Sequence, residues 1–223
     1  MAAAGLILDF DGVLVESEYE GNRHLAELLT ALGHPTSVET AMTRFMGLSG
    51  TAFHAAIESW IGGPIPPRFH ALRDAEDARV LAEGVPPVAG AAAFVRGLPP
   101  DLPRAIASSS STAWITAHLA HVGLTDAFDP ALIFSGREHV AHGKPAPDIY
   151  LLAARVLGVP IARTVIVEDS PVGVTGAVAS GGIVVGLTAG RHCGPDHAAL
   201  LRGLGARHIA ADFAAVARII ADA

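Results

Sequence analysis

The chain has 223 residues, about half of them apolar and 17% charged, with a net charge of −7. That length fits one large domain or a core with a modest insert, and the apolar share supplies a sizeable interior and excludes global disorder. The acidic balance excludes sequence-blind nucleic-acid binding, which needs a basic face, but not a small anionic substrate held in a locally positive site.

The first predicted element is a strand, Leu6–Asp9, within the stretch LILDFDGVLVESE. The residues before it lack a basic leader and meet Asp9 too early for a secretion signal. Cys193 is the only cysteine, which precludes an internal disulfide and fits a cytoplasmic location. Residues two apart on a strand face the same side, so Asp9 and Asp11 point together where the strand ends. Ligands of parallel α/β sheets bind at that edge. Gly12 lets the backbone turn sharply, and a hard cation such as Mg²⁺ relieves the repulsion of paired carboxylates. The plainer reading is a capped turn without chemistry.

Residues 17–85 read as helices only. Leu25, Leu28, Leu29 and Leu32 form one helical stripe stopped by Gly33, and Ser49 is placed to cap a helix that ends before Gly62. A crossover needs far fewer residues, so this segment is expected to be an inserted helical domain. It leaves near Val15–Ser17 and returns through GVPPVAG (84–90), with 1–16 and 86–223 forming the core.

The second strand, Arg104–Ala107, runs into four serines at 108–111. Hydroxyls and N–H groups at a helix start suit a phosphate, although Ser111 also serves as an ordinary helix cap. A third strand is expected at Leu132–Phe134. Lys144 precedes Pro145, and it reads either as a point charge for a phosphate or carboxylate or as a surface lysine. A helix follows at Asp148–Leu157, between Pro147 and Gly158. The fourth strand, Thr164–Val167, ends in Glu168-Asp169, which suit a metal shell or a cap for the next helix. Ser170–Gly190 carries no charge and is long enough to span a membrane. Its Gly181-Gly182 pair instead splits it into a helix (about 172–180) and a buried strand, Ile183–Gly186. His192, Cys193 and His197 match no defensible zinc spacing and read as a loop entering a helix at 196–203. His139 and His142 receive no role. A last strand is expected at His208–Ile209. Strands alternating with helices predict an α/β fold: a Rossmann-like parallel sheet core with helices on both faces, plus an inserted all-helical domain.

The order D-x-D-G, serine, Lys-Pro, Glu-Asp resembles the haloacid dehalogenase superfamily over nearly the whole chain. The insert is similar to the helical cap of its β-phosphoglucomutase-like and phosphoglycolate-phosphatase-like branch. The resemblance implies that Asp9 is a nucleophile forming an aspartyl-phosphate. It implies that Asp11 is the general acid/base and lends its backbone carbonyl to Mg²⁺. Ser108, the N–H of Ser109, the turn at Gly12 and Lys144 would hold the phosphoryl group. Asp9, Asp11 and Asp169 would bind the metal, with Glu168 a ligand or one shell out. The insert would be a lid, with Asn22, Arg23, Arg44, Phe45 and His54 as candidates to read the substrate.

Two departures bear on the reaction. Gly21, between Glu20 and Asn22, stands where the sugar mutases carry a hinge histidine. Met46 and Gly50 align with their cap lysine and arginine. The resemblance therefore implies a Mg²⁺-dependent phosphatase acting on a small phosphorylated metabolite, a sugar or sugar-acid phosphate, with a phosphosugar mutase as the alternative. Asp11 and Asp169 count against a metal-free dehalogenase. The place of D-x-D-G on the first strand counts against a phospho-accepting signalling domain. No nucleic-acid or membrane partner is expected, and a monomer or weak homodimer is.

Overall fold

The computed structural model describes residues 3–46, 48 and 50–223. Its elements begin with β1 (Gly5–Leu8), followed by α1 (Ser17–Ala31), α2 (Val38–Phe45), α3 (Gly50–Ile61) and α4 (Pro67–Glu83). They continue with α5 (Ala91–Gly97), β2 (Arg104–Ser108), α6 (Thr112–His121), β3 (Ile133–Ser135) and α7 (Asp148–Leu157). The last are β4 (Thr164–Glu168), α8 (Pro171–Ser180), β5 (Ile183–Leu187), α9 (His197–Gly203), β6 (His208–Ala210) and α10 (Phe213–Asp222). The chain divides into two compact units: one runs to Glu16 and resumes at Pro86, and the other is Ser17–Val85.

The first unit is a six-stranded sheet in the order β3-β2-β1-β4-β5-β6, with every pairing parallel. Leu6, Ile7 and Leu8 on the central strand have no exposed surface. Burying each such side chain contributes about 1.5–3 kcal/mol, so β1 is a firm anchor for Asp9 at its end. Chain order reverses at β1, with β2 on one side and β4 on the other. That is the switch point at which such sheets bind ligands. Leu8 is level with Ile106 of β2 and Val167 of β4. Asp9, Ser108 and Glu168 therefore emerge together at the carboxyl edge.

The charge-free stretch from Ser170 resolves into α8, a left-handed turn at Gly181 (φ +82°) and β5. Among the described residues no helix is long and apolar enough to cross a membrane.

The helical unit has its own interior, where Leu25, Leu28 and Leu29 of α1 cluster with Ala41, Phe45, Ile57 and Phe69. Gly33 follows the α1 stripe at φ +93°. Trp60 Nε1 donates to Thr36 Oγ1 at 2.8 Å, satisfying its one polar atom. Ser49, expected as a helix cap, lies outside the described residues.

Candidate active site

Asp9 is the first residue past β1. Its N–H donates to the Val167 carbonyl at 3.0 Å, which extends the ladder by one step and fixes the carboxylate at the sheet edge. The side chain is almost wholly buried. Lys144 Nζ lies 2.7 Å from Asp9 Oδ1 and 2.6 Å from Glu168 Oε1. Tyr150, on α7, donates its hydroxyl to the same Glu168 oxygen at 2.6 Å.

Burial pushes Asp9 up to about 7, the Glu168 and Asp11 charges add to that, and Lys144 opposes them. Glu168 is raised as well, by burial above all. Burial alone would lower Lys144, but Asp9 and Glu168 hold it well above its ordinary value as the ammonium ion. One lysine therefore faces two buried carboxylates, and Asp169 is a third.

Asp9, Glu168 and Asp169 each offer a carboxylate oxygen within 4.8 Å of the others. A Cβ built on Gly12 (φ +76°) would overlap the Asp169 carboxylate, so glycine at this turn is what lets Asp169 approach. Gly173 does the same for Glu168, since a Cβ there would overlap that carboxylate. A set of hard oxygen donors, under-compensated in charge, in a cradle kept open by glycine, fits Mg²⁺.

Asp11 turns the other way. Its Oδ2 accepts from Ser110 Oγ at 2.7 Å and from Ser108 Oγ at 3.1 Å. Its Oδ1 accepts from Trp114 Nε1 at 3.1 Å. The Asp11 carboxylate thus stands apart from the three converging carboxylates, leaving its backbone carbonyl as the atom that the resemblance assigns to the metal. Ser108 is buried and accepts from the Ser110 N–H at 3.0 Å, which shapes the serine turn, while Ser109 is exposed on it. Ser111 caps α6 by accepting from the Trp114 N–H.

Tyr150, Ser110, Trp114 and Gly173 received no role from the sequence. Each lies inside a stretch that drew attention for another residue, and its partner was set by the fold.

Among the residues named for substrate reading, Phe45 is corrected. It is 3% exposed within the interior of the helical unit, because the stripe it shares with Ala41 faces inward. The other four sit in local contacts of that unit. Asn22 donates to the Glu18 carbonyl, and Arg23 pairs with Glu20 and Glu27. Arg44 lies 4.6 Å over the Trp60 ring, and His54 meets His70 edge to face.

Near the carboxylates, His192 Nε2 lies 2.9 Å from Asp169 Oδ2, and His197 Nε2 donates to the Asp169 carbonyl at 2.5 Å. Burial and the Asp169 charge push the neighbouring Cys193 thiol up to about 12, which favours the protonated form.

With this geometry in view, residues 4–181 match the family model described as haloacid dehalogenase-like hydrolase. A fructose-1-phosphate phosphatase of Escherichia coli K12 is 31% identical, aligned over 80% of this chain and 93% of its own. Hexitol phosphatase A of the same organism is 31% identical over 85% of each chain. Among solved structures, a HAD family hydrolase from Deinococcus radiodurans R1, with bound phosphate and sodium, superposes with a TM-score of 0.89 at 30% identity. That match covers 99% of this chain and 96% of the other.

Proposed function

Since the chain belongs to the haloacid dehalogenase-like hydrolases and is a phosphoric monoester hydrolase, we propose that it hydrolyses a small sugar or sugar-alcohol phosphate through an aspartyl-phosphate on Asp9, with Mg²⁺ as cofactor. The observation that carries this reading is the buried group of Asp9, Lys144, Glu168 and Asp169 at the edge of the central strands. The substrate class rests on the names of the two relatives above.

In this reading Lys144 favours the ionised form of Asp9 and orients it for attack on phosphorus. The Ser108 hydroxyl and the Ser109 N–H hold the equatorial oxygens, where charge spreads as the phosphoryl group transfers. Asp11 protonates the departing alkoxide and then takes a proton from the water that cleaves the aspartyl-phosphate. Asp9, Asp169 and the Asp11 carbonyl would hold Mg²⁺, with Glu168 anchoring Lys144 behind them. When bound, the ion supplies positive charge to the phosphoryl oxygens. The helical unit, Ser17–Val85, is proposed to act as a cap that selects the leaving group. Hydrolysis is preferred to a mutase reaction, which needs groups that rebind a phosphorylated intermediate; Gly21, Met46 and Gly50 supply none of them.

The test is phosphate release from hexose, ketose and hexitol phosphates with Mg²⁺ and with EDTA, while isomer conversion is followed in parallel. Mg²⁺-dependent release is expected. Isomer conversion without release, or release unaffected by EDTA, would overturn the reading.

A further inference from the structure

His192, Cys193 and His197 take no part in the phosphoryl chemistry above, yet the fold gathers them. The loop that carries them is pinned at its start: the Arg191 N–H donates to the Glu16 carboxylate at 3.0 Å and the Cys193 N–H to the Gly190 carbonyl at 3.0 Å. Gly190 makes room for the imidazole, since a Cβ there would stand 2.5 Å from His192 Cε1. The His192 and His197 rings lie 5.7 Å apart, nearly perpendicular. Cys193 Sγ is 3.4 Å from His192 Nε2, which is in turn 2.9 Å from Asp169 Oδ2. One donor atom from each of His192, Cys193 and His197 falls within 4.8 Å of the other two.

Tetrahedral zinc with ordinary bond lengths sets its sulfur and nitrogen donors about 3.6 Å apart and two nitrogens about 3.4 Å apart. The sulfur–imidazole edge already has nearly that length, and a His197 ring nitrogen lies within 4.8 Å of both other donors. Two imidazoles and a thiol suit zinc and not Mg²⁺, which prefers oxygen, and the Asp169 carboxylate reaches this group at His192.

We propose that His192, Cys193 and His197 form a Zn²⁺ site that shares Asp169 with the Mg²⁺ site, so that zinc holds the enzyme inactive. On binding, the Cys193 thiol becomes a thiolate and its proton passes to solvent, with no change of oxidation state. Asp169, drawn to zinc as the fourth ligand, no longer serves Mg²⁺. This antagonism rests on the role proposed above for Asp169, while the zinc site itself does not.

Cobalt(II) serves as the probe, because a cobalt–thiolate bond gives a near-ultraviolet charge-transfer band. One equivalent is expected to produce that band in the wild type and none in Cys193→Ser. Zinc affinity, read by competition with a chromophoric chelator, is expected to fall at least about tenfold in Cys193→Ser, the loss of one ligand. Mg²⁺-dependent phosphate release by that variant is expected to equal the wild type without zinc and to resist zinc better. Cobalt binding to the wild type without a thiolate band, or equal zinc affinity in both proteins, would overturn the site. A thiolate band with Mg²⁺ affinity unchanged by zinc would overturn the antagonism. The band is read without substrate, so it stands or falls separately from the proposed phosphatase reaction.

Discussion

A Cβ placed on Gly12 would stand 2.8 Å from Cγ of Asp169 and closer still to Oδ2. The turn after the first strand and the acid after the fourth are thus a matched pair, one kept small so that the other can close on the buried carboxylates. Gly12→Ala carries a second cost, because φ there is +76°. The variant is expected to fold with a modest loss of stability and to lose the rise in melting temperature that Mg²⁺ produces. Displacing a ligand by about 1 Å is worth about 10²-fold in kcat. Steady-state kinetics beside thermal melts with and without Mg²⁺ check both.

Lys144 is the cation shared by Asp9 and Glu168, with distances of 2.7 and 2.6 Å. Removing it leaves two buried carboxylates uncompensated, and breaking a buried pair costs about 3–5 kcal/mol. Lys144→Met is therefore expected to unfold at lower urea concentration, and adding Glu168→Gln is expected to recover part of the loss. An unchanged urea midpoint in the single variant would contradict this arrangement.

Burial pushes Asp9 up to about 7 in the folded protein, from the 3.8 of an ordinary aspartate that the unfolded chain resembles. Between those values the folded state binds more protons than the unfolded one, so metal-free stability falls as pH rises through that window. Glu168 is raised too and acts in the same direction. Lys144 is raised above its ordinary value, so its contribution persists throughout this range and is lost only at higher, alkaline pH. A cation favours the ionised carboxylates, so the melting-temperature gain from Mg²⁺ is expected to be larger at pH 8 than at pH 5. Asp9→Asn is expected to flatten that difference, and calorimetry at the two pH values reads it.

Ser110 and Trp114 hold the Asp11 carboxylate at 2.7 and 3.1 Å. A hydrogen bond to a charged group is worth about 1.5–3 kcal/mol, so Ser110→Ala or Trp114→Phe is expected to lower kcat about tenfold or more while KM moves little. A shift in KM alone would place these residues in binding instead.

The six strands are found where short apolar runs were expected, because a sheet buried on both faces leaves a local signature of continuous Val, Ile and Leu. Asp9, Ser108 and Glu168 were legible for the same reason, as polar residues ending such runs. Tyr150, Trp114 and His192 were not. Tyr150 meets Glu168 across 18 residues and Trp114 meets Asp11 across 103, and no local pattern encodes those distances. His192 and His197 read as a loop, and what the sequence does not show is that this loop folds back onto Asp169, which stands at the end of another strand. Phe45 looked like a substrate-facing residue because the sequence does not say which side of a short helix turns inward.

The central claim is that Asp9 carries the phosphoryl group. It is tested most directly by acid-quenching the Asp11→Asn variant, slowed in breakdown of the intermediate, during turnover of a reactive sugar phosphate with Mg²⁺. Borohydride reduction and peptide mass spectrometry then identify the modified residue. The account predicts reduction of Asp9 to homoserine, dependent on substrate and absent without it. Phosphate release in which Asp9 stays unmodified at every quench time, or an Asp9→Asn variant that retains full activity, would contradict it.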